Sequence, residues 1–208
     1  PGLIVKDGKD FYAQSSGAGE DPVPIKDWDF RSQIEFARTF KQAESFWNYK
    51  FVLITPRDYD ALDVTSFAGP GWVYRPNVIC LFRLSSVGSR VHLPLNVVRA
   101  EKFFRSDRDT YDDGDVNDKT VWHELGHSLD QLHIKALLGD DFCKKPANVN
   151  ARYCYKEPDG VAPNIQGTGT GLIPANAKAW HELIARHTET AQSGWKVTMN
   201  TKTPPRKL

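Results

Sequence analysis

Three of the chain's six histidines, His123, His127 and His133, fall in the stretch HELGHSLDQLH. Residues four positions apart lie one turn above each other on the same face of an α-helix, so His123 and His127 direct two imidazoles to one point in space. That spacing is typical of a pair of metal ligands. A catalytic zinc ion normally takes three protein ligands and keeps one position open, and His133 is our candidate for the third.

The residues beside the histidines define the rest of the predicted site. Glu124 lies about 100° further around the helix than His123, where its carboxylate can contact a water at the metal without being a ligand. We therefore assign Glu124 the role of general base. His133 is too far from His127 to share its helical face, so we expect the helix to end and the chain to turn back at Asp130. Such a turn needs a left-handed residue, for which Gly is best and Asp or Asn are tolerated.

The same stretch resembles the zinc-binding motif HExxHxxGxxH of the metzincin clan of metalloendopeptidases. It matches at every fixed position except one, where Asp130 stands in place of the glycine. Metzincins also carry a methionine-containing turn below the zinc, just before a C-terminal helix. The stretch NIQGTG at 164–169 is similar to that turn, with Gln166 in place of the methionine and Thr168 in place of the tyrosine that follows it.

The resemblance implies a zinc-dependent endopeptidase that cleaves protein or peptide substrates, with Zn²⁺ held by the three histidines and Glu124 as the catalytic residue. It also implies a metzincin-like α+β fold, with a mixed twisted sheet, a backing helix and an active-site helix. A small irregular C-terminal lobe would carry a terminal helix, and a cleft would separate the lobes. The substrate would add as an extended strand to the edge of the sheet, at 91–98 or 78–82.

Length and charge limit the other possibilities. The 208 residues are enough for one domain, which we divide into an N-terminal subdomain (1–133) with the sheet and active-site helix and a C-terminal subdomain (134–208). The 27 basic and 26 acidic residues are interspersed and give a net charge of +1, which argues against nucleic acid or an anionic membrane as a partner. No apolar run reaches the roughly 18 residues of a membrane span.

The cysteines indicate the redox state of the compartment in which the protein folds. Cys143 and Cys154 lie in a loop-like stretch that a disulfide could close, which favours an oxidising setting and a secreted protein. The alternative is three reduced thiols inside the cell. Cys80, in the apolar run NVICLF, is expected to be a buried strand thiol. The chain starts at Pro1 without an initiator Met, which suggests a processed or trimmed form from which a propeptide could be missing. We expect it to act as a monomer.

Hydrophobic periodicity predicts two long helices and several short strands. The first helix follows its expected N-cap, Asp29, and has apolar positions at Phe30, Ile34, Ala37, Phe40 and Trp47. The second runs from about residue 174 to 190. Strands are predicted at 51–55, 72–74, 78–82 and 91–98. The acidic segment 106–118 is expected to be a solvated loop rather than a calcium site, and the stretch after His133 to be irregular.

The active-site helix has its own predicted features. Asn117 or Asp118 can cap its start. An apolar stripe separate from the histidines would pack the helix into the core. Its members are Val121, Leu125, Leu129 and Leu132.

Other functions stay open from the sequence. In a second clan of HExxH peptidases, the gluzincins, the third ligand is a glutamate on a later helix, and Glu157 or Glu182 could take that part. The chain could instead be a zinc-bearing toxin or effector that cleaves one host protein, or a secreted binding module with an inactive zinc site. The zinc could also be structural, or the histidines could be solvated residues of an ordinary surface helix.

Overall fold

The computed structural model describes residues 2–13, 22–57, 59, 77–85, 93–102, 104–113 and 118–201. These residues form a mixed α+β structure, which confirms the predicted class. In place of one mixed sheet, the described strands form three small sheets. The chain separates into two compact units, residues 1–44 with 84–128 and residues 45–83 with 129–208. The metzincin-like arrangement, the cleft and the subdomain division after residue 133 remain predictions.

The first unit opens with a β-hairpin. Strands β1 (Gly2–Lys6) and β2 (Lys9–Ala13) pair antiparallel, and β2 also pairs with β3 (Val23–Pro24). The hairpin turns at Asp7 and Gly8, whose φ angles of 53° and 72° are both left-handed, as a type I′ turn requires. This hairpin was not among the predicted elements, although an Asp-Gly pair is one of the strongest local signals for one.

Helix α1 (Phe30–Trp47) confirms the predicted helix and its cap. The Ser32 N–H donates to Asp29 Oδ1 at 2.8 Å, which satisfies one of the backbone donors that a helix start leaves open. This bond, together with an ion pair to Arg99 at 2.8 Å, lowers the pKa of Asp29.

The buried face of α1 includes only part of its apolar pattern. Phe30, Ile34 and Ala37 are exposed, whereas Trp47 is buried. Phe36 and Ala43 are buried as well. Phe36 belongs to a core cluster of the first unit, whose other buried members are Ala43, Tyr111, Val121 and Leu125.

Strands β6 (Asn96–Val98) and β7 (Thr110–Asp112) form a parallel pair in the first unit. Strand β7 lies inside the segment that was predicted to be a solvated loop, so that prediction was wrong for these residues. Tyr111 is fully buried, and Asp112 is buried with its Oδ2 accepting the Phe104 N–H at 2.8 Å. The buried Asp112 carboxylate therefore stabilises the backbone at Phe104.

The second unit contains an antiparallel sheet of order β5-β4-β8. Its central strand β4 (Phe51–Ile54) confirms the predicted strand, and both Phe51 and Leu53 are buried. Strand β5 (Val78–Ile79) is shorter than predicted, as β6 is in the first unit. Strand β8 (Lys196–Met199) was not predicted, and the predicted strand at 72–74 lies outside the described residues.

Short helices occupy part of the stretch that was predicted to be irregular. They are α3 (Ile134–Leu137), α4 (Asp141–Lys144) and α5 (Arg152–Tyr155). The predicted C-terminal helix is confirmed as a 3-10 turn, Pro174–Ala177, that leads into α6 (Lys178–His187). Among the described residues, none of the helices has the length and apolarity that crossing a bilayer requires.

The cysteines lie as predicted. Cys143 and Cys154 form a disulfide in the second unit. Cys80 is a buried free thiol directly after β5, and burial raises its pKa to about 12. A disulfide between two buried sulfurs is typical of proteins that fold in an oxidising compartment.

The two phenylalanines of α1 give a test of the core assignment. Phe36 is 7% exposed and Phe30 is 78% exposed. We expect Phe36→Ala to lower the free energy of unfolding by about 3–5 kcal/mol, because it removes a buried ring and leaves a cavity. Phe30→Ala should change it by less than about 0.5 kcal/mol. Urea unfolding of both variants measures the difference, and equal losses would contradict the packing described for α1.

Candidate metal centre

Helix α2 (Asp118–Ser128) carries the first two histidines and Glu124. Two of its residues, Val121 and Leu125, are fully buried and pack against Tyr111 in the core of the first unit. This confirms the first half of the predicted stripe.

The rest of the stripe lies beyond the helix end, since Leu129 and Leu132 follow Ser128 and are only half-buried. The helix begins at Asp118, and the alternative cap, Asn117, lies outside the described residues.

His123 and His127 lie together on α2, as their four-residue spacing predicts. Their Nε2 atoms are 3.1 Å apart, and their rings meet edge to face with centroids 4.7 Å apart. Both side chains are half-buried. Burying the neighbouring apolar face fixes the rotation of α2, and that rotation sets the direction of both imidazoles.

The chain leaves α2 through a left-handed residue. Asp130 has a φ of 54°, so an Asp does adopt the conformation that the motif's glycine would supply. His133 follows three residues later and is 4% exposed. The ligand atoms of His123, His127 and His133 all lie within 4.8 Å of one another.

These three histidines could hold a metal ion. Two nitrogens bound to a tetrahedral zinc ion, with bonds of about 2.0–2.1 Å, lie about 3.4 Å apart. The Nε2 separation of His123 and His127 is close to that value, and the third nitrogen needs to approach the pair by no more than about 1–1.5 Å. An all-imidazole donor set suits zinc, copper, nickel and iron alike.

Glu124 is buried on α2 beside the histidines, at 8% exposure. Tyr111 lies near Glu124. The sequence analysis did not identify Tyr111 as a site residue, because it lies on β7, in the segment that was predicted to be a loop. Burial raises the pKa of the Tyr111 hydroxyl, and the negative charge of Glu124 raises it further. Tyr111 therefore stays protonated and neutral beside the carboxylate.

His133 is held by two contacts within the second unit. Its Nδ1 is hydrogen-bonded to the Val149 carbonyl. Because a carbonyl can only accept, Nδ1 carries the proton and Nε2 is the ring nitrogen that can serve as a ligand. The ring also lies against Tyr155, with centroids 3.7 Å apart and planes inclined by 35°. Neither Val149 nor Tyr155 was predicted, and the only sequence signal is that Tyr155 follows the disulfide cysteine Cys154.

The turn that includes Gln166 contacts the residue after the third histidine. The Ile134 N–H donates to the Gln166 carbonyl at 2.8 Å. The Gln166 N–H donates to Asn164 Oδ1 at 2.9 Å, and the amides of Asn164 and Asn176 bond each other reciprocally. All three amide side chains are fully buried. This network gives the turn a defined conformation directly beside the His133 segment.

Glu157 stabilises the turn around Gln166 through three hydrogen bonds. Its Oε1 accepts the backbone N–H of Asn164 at 2.9 Å and that of Thr168 at 2.8 Å, while Oε2 accepts the Thr168 hydroxyl at 2.7 Å. Burial opposes ionisation of this carboxyl, but the hydrogen bonds outweigh it and lower the pKa of Glu157. Gly167 packs so closely here that an added Cβ would lie 2.4 Å from Glu157 Oε1. The carboxylate thus has a structural role in the turn.

The alternative third ligands do not join the histidines. Within the described residues, the group with metal-ligand spacing consists of His123, His127 and His133. Glu157 is engaged by the turn, and Glu182 forms an ion pair with Lys178 at 2.7 Å.

Comparisons with models of protein families, with curated proteins and with solved structures found no match to this chain. Any assignment of function therefore depends on the residues of the site.

The lowered pKa of Glu157 predicts a pH-dependent contribution to stability. A lowered folded-state pKa stabilises the protein above the ordinary value of 4.5, and this contribution is lost as the pH falls through the lowered pKa. We therefore expect Glu157→Gln to be less stable than the parent at about pH 7, with the difference shrinking towards about pH 3.

Urea unfolding at the two pH values measures this difference. Glu182→Gln is the control, because Glu182 belongs to a partly exposed ion pair and should contribute little at either pH. A Glu157→Gln deficit that is equally large in acid would contradict the role of the ionised carboxylate.

Proposed function

We propose that the protein is a zinc-dependent endopeptidase in which His123, His127 and His133 hold Zn²⁺ and Glu124 is the general base. The observation that carries the proposal is the convergence of three imidazoles within 4.8 Å, beside a glutamate that directly follows the first of them. Within the described residues the group holds three potential ligands, the number that catalytic zinc sites use, whereas structural sites normally use four. The motif supports a relationship to the metzincin clan.

Zinc supplies Lewis-acid chemistry when bound, polarising the scissile carbonyl and favouring water as a nucleophile near neutral pH. Glu124 accepts the proton from the attacking water and delivers it to the leaving amine nitrogen as the C–N bond breaks. Its place on a regular helix, next to His123, keeps its carboxylate in a fixed direction relative to the imidazoles. Its low exposure strengthens its interaction with a developing charge.

The substrate we propose is a protein or peptide that binds in an extended conformation by pairing with a strand edge. Strand β5 is at one edge of its three-stranded sheet, and β6 is part of a two-stranded sheet. Both are thus candidates for such pairing. The disulfide supports the further proposal that the protein acts outside the cell, after secretion.

Removing the proposed general base gives the first test of this function. We expect Glu124→Ala to keep its zinc, because all three ligands remain, but to lose at least about 10²-fold in peptide cleavage. Mass-spectrometric mapping of cleavages in a broad peptide library, with metal content measured on the same samples, reports both quantities. The control is Glu35→Ala, which removes an exposed glutamate of α1 and should cleave like the parent.

The outcomes separate the proposed functions. Cleavage that persists in Glu124→Ala would contradict its role as base. Zinc binding by a parent protein that cleaves nothing in the library would favour a single-substrate toxin or a binding module with an inactive site. Equal partner binding with and without Glu124 would identify the module.

Removing the proposed third ligand tests the metal site itself. We expect His133→Ala to weaken Zn²⁺ binding by more than about 100-fold, a larger effect than the loss of an outer-sphere contact. Competition with a chromophoric chelator measures the affinity, and His187→Ala, at an exposed histidine of α6, is the matched control. Parental affinity in His133→Ala would mean that His133 is not the third ligand.

A further inference from the structure

The closed loop from Cys143 to Cys154 supplies both contacts of the His133 ring described above. Val149, whose carbonyl accepts from Nδ1, lies inside the loop. Tyr155, whose ring stacks on the imidazole, is the first residue after the second cysteine. Any movement of this loop therefore moves both contacts together.

The disulfide also packs directly against the chain on either side of His133. Cys143 and Cys154 are fully buried and form a core cluster with Ala136. Leu132, immediately before the histidine, packs on the same cluster. Leu132 and Ala136, on either side of His133, therefore pack on the disulfide. The imidazole of His133 contacts Val149 in the loop that the disulfide closes.

Two side-chain contacts of the loop residues are long or lie on the surface. Tyr153 donates its hydroxyl to Asp140 at a long 3.4 Å, and its ring is half exposed, with Phe142 and Lys135 as neighbours. Asn148 Nδ2 donates to the Phe142 carbonyl at 3.1 Å on the surface. The buried covalent link is therefore the strongest constraint that joins α4 to α5.

We infer that the disulfide-closed loop Cys143–Cys154 is a positioning element for the metal site, in which the Val149 carbonyl fixes the tautomer of His133 and the Tyr155 ring fixes its orientation. This inference rests on the proposed function, because it assigns His133 as a metal ligand. Partners that hold a ligating imidazole through its second nitrogen raise metal affinity, and their loss typically costs 10- to 100-fold.

The first experiment compares Zn²⁺ affinity across variants of the whole chain. Tyr155→Ala should bind Zn²⁺ about 10-fold more weakly than the parent, and Tyr155→Phe should restore the affinity because it keeps the stacked ring. Tyr153→Ala is the matched control, an aromatic residue two positions away that contacts Lys135 and not His133. Equal affinities for the Tyr155→Ala and Tyr153→Ala variants would overturn the role of Tyr155.

The second experiment removes the covalent link without adding a thiol reagent that would itself bind zinc. The double variant Cys143→Ser, Cys154→Ser should bind Zn²⁺ about 10- to 100-fold more weakly. In the metal-free protein at about pH 8, where histidine is neutral, ¹⁵N shifts should show one Nδ1–H tautomer for His133 in the parent and a mixture in the double variant.

The tautomer measurement distinguishes a positioning role of the loop from a general loss of stability. A folded protein with only a weaker core would keep His133 in the Nδ1–H form. Unchanged affinity together with an unchanged tautomer in the double variant would overturn the inference. If that variant does not fold, the Tyr155 series decides, because its disulfide is intact. A parent protein that binds no Zn²⁺ would instead contradict the proposed function.

Discussion

The convergence of the three histidines depends on where helix α2 ends. Continued as a regular helix, the chain would place His133 about 9 Å further along the axis than His127 and about 240° around it, where no single ion could contact both. The left-handed backbone at Asp130 prevents this by ending the helical path two residues after Ser128. This left-handed conformation is roughly 1 kcal/mol less favourable for an Asp than for a glycine. That difference is small compared with the free energy of unfolding of a whole domain.

The features that the sequence predicted are those encoded by neighbouring residues. The four-residue spacing of His123 and His127 depends only on helix geometry, and the cap at Asp29 depends on a side chain three residues from its donor. The pairing of Cys143 with Cys154 follows from there being one nearby partner in a short loop. In each case the physical interaction is completed within a dozen residues, so the local pattern contains all the information that is needed.

The features that escaped prediction depend on residues distant in sequence. The carbonyl of Val149 could not be predicted as a partner of His133, because every residue has a carbonyl and only the fold selects one. Tyr111 was placed in a loop because acidic residues surround it, yet β7 is stabilised by pairing with β6, whose residues lie fourteen positions earlier in the chain. On α1, periodicity identified the helix but not its buried side, since the spacing of Phe30 and Ile34 is as helical as that of Phe36 and Ala43. Which face is buried is decided by the neighbouring elements.

The turn at Gln166 bonds the segment after His133 through its backbone. The bond between the Ile134 N–H and residue 166 is made by the carbonyl, so it does not depend on which side chain stands there. The interior of the turn is polar, because the Gln166 side chain is fully buried, as are the amides of Asn164 and Asn176, which bond each other. A buried polar turn is stable only when its polar groups are bonded. Here Glu157, Asn164 and Asn176 accept the backbone N–H groups of residues 164, 166, 168 and 173. This polar network keeps the Gln166 carbonyl directed at the residue that follows His133.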